Sequence, residues 1–173
     1  SYKLIKQFRF EIMQFHFEVE DFLSKDKCDT IIKTCEAKNE TSEIGSGLDK
    51  QFRIKLEDSD IQALLQHEID QSEDPFINTY KMSNKFTYVR YNDGGKIYTH
   101  NDSYDDARAK YTLLLYLNDD YKNGQTYLYL EKDKKTTITK KTGKILIFEG
   151  STIRHGCNLV TGVKHILIGK VFY

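Results

Sequence analysis

From about Phe86 to the C-terminus, apolar residues recur with a period of two, and turn-forming residues break the pattern at short intervals. Eight short strands are expected, at roughly 83–92, 95–101, 109–118, 125–131, 134–139, 144–149, 152–157 and 163–172. Turn chemistry separates several of them: "NDGG" at 92–95, "NDDYKNG" at 118–124, "KTGK" at 141–144 and "VTGVK" at 160–164. Many short strands at this spacing close into a sandwich, barrel or jelly roll, which limits exposed sheet edges.

The first half has a different period. "FHFEVEDFL" (15–23) alternates for most of its length and predicts a half-buried strand. Ser24 then stands at an N-cap position, and Cys28, Ile31, Ile32 and Cys35 follow at helical spacing. "NETSEIGSGLDK" (39–50) is a loop by composition. "DSDIQALLQHEIDQ" predicts a second amphipathic helix, capped by Asp58 or Ser59, with Ile61, Leu64, Leu65 and Ile69 inward. Helices first and strands second make the class α+β. The expectation is one domain over 1–173, with 1–80 a helical support region and 81–173 the β core.

Charge narrows the partners. Lys plus Arg and Asp plus Glu number 26 each, so no overall basic field points to nucleic acid or an anionic membrane. The lysine-rich "EKDKKTTITKK" (131–141) is expected to be a charged strand edge that discourages pairing. Runs such as "LLLYL" and "ILIF" are too short to span a bilayer, and no cationic start leads into an apolar segment. Cys28, Cys35 and Cys157 form neither a disulfide framework nor a CxxC pair, which fits a reducing, cytoplasmic setting. Oligomeric state is not legible.

Chemistry concentrates in "YTHNDSYDDARAKYTLLLYLN". On a strand, His100 and Asp102 share a face and Asn101 points away. With His155, just before the return into the last strand, they could complete a 2-His-1-carboxylate set, which binds one face of an octahedral Fe(II) and leaves open positions. His16, His67 and His165 have no partner suggested by the sequence. An HxD pair plus a later His is common by chance, so the surrounding residues matter more.

Those residues resemble the prolyl 4-hydroxylase-like branch of the Fe(II)/2-oxoglutarate-dependent dioxygenases. "FEVEDFLSKDKCDTIIK" is similar to that branch's strand–helix opening, and "VRYNDGGKIYTHND" to its Tyr–Gly–His-x-Asp segment. "YTLLLYLNDDYKNGQTYLYL" and "TGKILIFEGSTIRHGCNLVTGVKHIL" resemble the segments that follow, in order and at compatible spacing. The resemblance implies a double-stranded β-helix (jelly-roll) core with N-terminal supporting helices. It also implies Fe(II), 2-oxoglutarate and O2 as cofactor and co-substrates, with ascorbate as a possible rescuing reductant.

Residue by residue, the resemblance assigns the iron ligands to His100, Asp102 and His155. Lys164 matches the cation that pairs with the far carboxylate of 2-oxoglutarate, and Tyr91 and Tyr116 match its pocket tyrosines. Thr112, on one face with Leu114 and Tyr116, is a further candidate for that carboxylate. Two departures stand out. Asn123–Gly124 replaces a pair of glycines, and Ile97 stands where an aromatic residue is common.

The branch mostly hydroxylates peptidyl proline, so a proline-containing peptide or protein is the first expected substrate. A free amino acid or other small molecule is the alternative, and a non-catalytic jelly-roll binding module is the rival from another class. The entrance is expected at the 39–50 loop and at 103–109, including Ser103, Tyr104, Asp105 and Asp106. The two aspartates there would favour basic flanks on the substrate.

Overall fold

The computed structural model describes residues 15–38 and 50–173. Strand β1 (His16–Val19) leads to helix α1 (Lys25–Glu36), whose N-cap Ser24 accepts from the Lys27 amide. Cys28, Ile31 and Cys35 are its buried residues, as the helical spacing predicts. Strand β2 (Gln51–Glu57) follows, then helix α2 (Ser59–Asp70), whose cap is Asp58 with both the Asp60 and Ile61 amides on its carboxylate. Ile61, Leu65 and Ile69 are buried there, and Leu64 packs part-buried on the same core.

After a 3-10 turn at Ile77–Thr79 come β3 (Lys81–Tyr91), β4 (Ile97–His100), β5 (Tyr111–Tyr116) and the two-residue β6 (Lys122–Asn123). Then come β7 (Thr126–Glu131), β8 (Lys134–Ile138), β9 (Ile145–Phe148), β10 (His155–Cys157), the short β11 (Val160–Thr161) and β12 (Lys164–Phe172). The eight expected strands are β3, β4, β5, β7, β8, β9, β10 and β12. β2 is an addition: residues 51–57 pair along the whole outer stretch of β3, so the first 80 residues supply sheet as well as helix.

All pairings are antiparallel. Six strands form a major sheet in the order β1-β9-β5-β12-β3-β2, four form a minor sheet in the order β4-β10-β7-β8, and β11 pairs with β6. The two sheets make the walls of a double-stranded β-helix. Alternation sorts the major sheet's side chains into two cores. Leu113, Leu115, Leu167 and Val171 pack against the helices, while Leu114, Tyr116 and Ile166 face the minor sheet's Leu128, Ile138 and Cys157.

The expected turn segment at 118–124 carries the chain from β5 in the major sheet to β7 in the minor one and bends at Asn123 and Gly124, with φ of 54° and 64°. Asparagine and glycine tolerate this left-handed region best, so Asn–Gly makes the turn without the second glycine. The turn matters because the Gly124 carbonyl points back into the roll.

Candidate metal and co-substrate site

Register brings the three expected ligands together. β10 pairs with β4 so that His155 lies opposite His100, and the Asp102 amide donates to the Gly150 carbonyl at 2.8 Å. Asp102 Oδ1 lies 3.2 Å from His155 Nε2 and 3.6 Å from His100 Nε2. Two donors at right angles, each ~2.1 Å from one metal, are ~3 Å apart, so these spacings fit three donors on one metal face.

The tautomers fit as well. His100 Nδ1 lies 2.8 Å from the Tyr98 carbonyl, and His155 Nδ1 lies 2.7 Å from the Ile153 carbonyl. A carbonyl only accepts, so each Nδ1 carries a proton and each Nε2 is the nitrogen turned to Asp102, where a metal would take its lone pair. Asp102 is ionised there. Burial opposes its charge, but the bonds with His100 and His155 and the Lys170 ammonium outweigh it and hold the carboxyl well below the usual range. Its outer oxygen, Oδ2, accepts from Thr112 Oγ1 at 2.5 Å.

A cavity of about 70 Å³ starts at these ligands and includes Lys164, Tyr91, Thr126 and Arg53 in its wall. His155 and Cys157 share one face of β10 two positions apart, ~7 Å, and the Lys164 ammonium lies 3.3 Å from Cys157 Sγ. A short dicarboxylate can therefore bridge from the ligand cluster to Lys164. The ammonium is fully buried and donates to the Gly124 carbonyl at 2.9 Å and to Thr126 Oγ1 at 3.3 Å. No carboxylate pairs with it among the described residues. Burial pushes its pKa down, which means an anion brought beside it is strongly favoured.

The remaining assignments separate. The Tyr91 ring lines the cavity, and the Tyr91 and Tyr116 centroids each lie 5.5 Å from the ammonium. The Tyr116 hydroxyl is donated to Thr126 Oγ1 at 2.7 Å, so Tyr116 backs Thr126 instead of lining the cavity. Thr112 is misplaced by the sequence reading: it pairs with Lys170 on β12, six residues and ~20 Å from Lys164. It serves Asp102, and Thr126 stands where Thr112 was expected.

Ser103 and Asp105 are exposed, and Asp106 is closed on Arg108 at 2.7 Å. Tyr104 leans over the ligand carboxylate's support, its hydroxyl 3.1 Å from Thr112 Oγ1. Residues 39–49 of the other expected entrance loop lie outside the described residues. Three contributors escaped the sequence reading: Thr126, Arg53 on the unforeseen β2, and Lys170. For Lys170 the signal was present, because the alternation Lys164, Ile166, Ile168 continues to it.

The family model for the 2OG-Fe(II) oxygenase superfamily matches residues 86–172, half of the chain and every residue of the cluster. The chain belongs to that superfamily. Among solved structures, this oxygenase is similar to a prolyl-4-hydroxylase from Pseudomonas putida, with 16% identity over 92% of each chain and a TM-score of 0.68. A viral collagen prolyl hydroxylase from Paramecium Bursaria Chlorella virus-1, in complex with 2OG, shares 20% identity over 94% of this chain and 98% of its own, with a TM-score of 0.62. A prolyl hydroxylase from Trichoplax adhaerens, in complex with a hypoxia inducible factor peptide fragment, shares 14% over 91% and 83%, with a TM-score of 0.67. No curated protein matches in sequence. No described helix of the oxygenase is long and apolar enough to cross a membrane.

Proposed function

We propose that this oxygenase hydroxylates peptidyl proline, with Fe(II) held by His100, Asp102 and His155 and with 2-oxoglutarate anchored by Lys164. The observation that carries the co-substrate assignment is the buried ammonium of Lys164, which has no carboxylate partner among the described residues and lies in the same cavity as the ligand cluster. When bound, iron and 2-oxoglutarate supply the oxidising power, with O2 divided between succinate, formed with CO2, and the hydroxylated substrate.

The chain's own groups orient and enclose. The carbonyls of Tyr98 and Ile153 aim the two imidazoles, and Thr112 turns Asp102 so that Oδ1 faces them. Tyr91, Thr126 and the Gly124 carbonyl fix the ammonium at the other end, where Ile166 keeps the wall apolar, as Phe148 does beside His155. No protein acid–base pair is required. Ascorbate would act only to rescue oxidised iron and needs no protein site of its own.

Peptidyl proline is favoured by the structural neighbours described as prolyl hydroxylases, among them those from Pseudomonas putida, the chlorella virus and Trichoplax adhaerens. A succinate-release assay with a proline-containing oligopeptide and with free proline tests it. Turnover stimulated by the peptide alone supports the proposal. Stimulation by free proline alone, or by neither, contradicts it.

A further inference from the structure

The interior face of β12 carries a cation at each end. Lys164, Ile166, Ile168 and Lys170 alternate on it, so Lys170 repeats Lys164's orientation ~20 Å along the strand, beside the outer oxygen of Asp102. Its Nζ lies 3.3 Å from Asp102 Oδ2 and 3.0 Å from Thr112 Oγ1, and 4.5 Å from the centroid of the Tyr104 ring. Lys164 is sealed, but the Lys170 side chain is 25% exposed. An ammonium has three donors. Two are directed at Asp102 and Thr112, which leaves one for a group arriving from solvent.

The charge around the site does not balance once it is loaded. Asp102 is the one carboxylate lining the cavity among the described residues, and Arg53 lines it as well with no carboxylate paired to it among those residues. A divalent metal and a dicarboxylate co-substrate cancel each other. Asp102, shared between the metal and Lys170 and opposed by Lys164, cannot also neutralise Lys170 and Arg53. The overlying segment adds little: Asp106 is closed on Arg108, and Asp105, exposed to water, is the weakest of the charges acting on Lys170.

We infer that the substrate is an acidic peptide, with an anionic side chain next to the residue that is oxidised, and that Lys170 receives it. This inference rests on the metal and co-substrate assignments above and deepens them. It reverses the expectation of basic flanks drawn from Asp105 and Asp106. Tyr104, with its ring on the Lys170 ammonium, limits water access there and so strengthens the interaction with an arriving carboxylate.

The test uses the full chain saturated with Mn(II) and N-oxalylglycine, an unreactive analogue of 2-oxoglutarate. Broadening of peptide proton signals by the bound Mn(II) reports binding next to the metal. The probes are acetyl-Glu-Pro-Glu amide and acetyl-Gln-Pro-Gln amide, with a second pair carrying alanine for proline. The glutamate peptide is expected to bind about tenfold or more tightly than its glutamine partner, as loss of a charge-assisted bond implies. Lys170→Arg should keep that preference and Lys170→Met should erase it, each variant being read at its own saturating Mn(II) concentration. Equal binding of the two peptides, no binding by either, or a preference that survives in Lys170→Met would overturn the inference. If the alanine pair shows the same charge preference and affinity as the proline pair, the prolyl reading fails and the acidic-substrate inference stands. Failure of the wild-type chain to bind Mn(II) would remove both.

Discussion

Gly150 is packed against the carboxylate of Asp102. Its carbonyl accepts the Asp102 amide at 2.8 Å, and a methyl group on its Cα would collide with both Asp102 Oδ2 and Thr112 Oγ1. The collision would fall on the hydrogen bond that orients the ligand carboxylate. Gly150→Ala should therefore weaken Mn(II) binding by ~10-fold or more, the usual cost of disturbing a group that orients a metal ligand. Isothermal titration of Mn(II) measures this, and an unchanged affinity would show that Asp102 is not set by this contact.

Lys164 sets function against stability. Its ammonium is buried with only neutral partners, Gly124 O, Thr126 Oγ1 and Cys157 Sγ. Lys164→Met should stabilise the protein without co-substrate by about 1–3 kcal/mol, because an uncompensated buried charge is replaced by apolar volume. The same variant should raise the half-saturating 2-oxoglutarate concentration by ~10–100-fold through loss of a charge-assisted bond. Urea unfolding and succinate release read the two effects separately. A destabilised variant with normal co-substrate demand would contradict the assignment.

Away from the site, His165 gives stability a pH dependence. Its Nδ1 lies 2.7 Å from the Tyr88 hydroxyl, which donates to Glu36 Oε1 at 2.7 Å. Burial, partly offset by Glu36, pushes the His165 pKa below its ordinary value of 6.5. A histidine with a depressed folded pKa contributes stability above the unfolded pKa and loses it as pH falls through the folded one. The urea midpoint should accordingly decline as pH falls below 6.5. His165→Asn, whose amide can mimic the Nδ1–H, should flatten that decline, and identical slopes in the two proteins would refute the role given to His165.

Much of this architecture was legible because alternation and turn chemistry are local. The eight strands of the C-terminal half and the two caps, Ser24 and Asp58, follow from neighbouring residues alone. β2 carried a local signal that went unread: in "QFRIKLE" Phe52, Ile54 and Leu56 alternate with Arg53 and Lys55, but so short a run between a loop-like stretch and a helix cap is easily passed over. Ile54 and Leu56 pack toward the helices while Arg53 lines the cavity, and which polar residue of the run reaches the site depends on the pairing with β3. Thr112 and Thr126 show a second limit. Alternation tells which face a side chain occupies but not how far along the cavity it lies, and register alone put Thr112 beside Asp102 and Thr126 beside Lys164. His165 marks a third, since its Tyr88 and Glu36 partners come from a different strand and a helix.

On the proposed reading, one metal on His100, Asp102 and His155 and one ammonium at Lys164 together hold 2-oxoglutarate. Calorimetric titration of 2-oxoglutarate into the anaerobic protein, with and without Mn(II), tests it most directly. One equivalent should bind tightly in the presence of Mn(II) and weakly without it, and the tight phase should be lost in Asp102→Ala and His155→Ala. Equally tight binding with and without the metal, or an undiminished tight phase in Asp102→Ala, would contradict it.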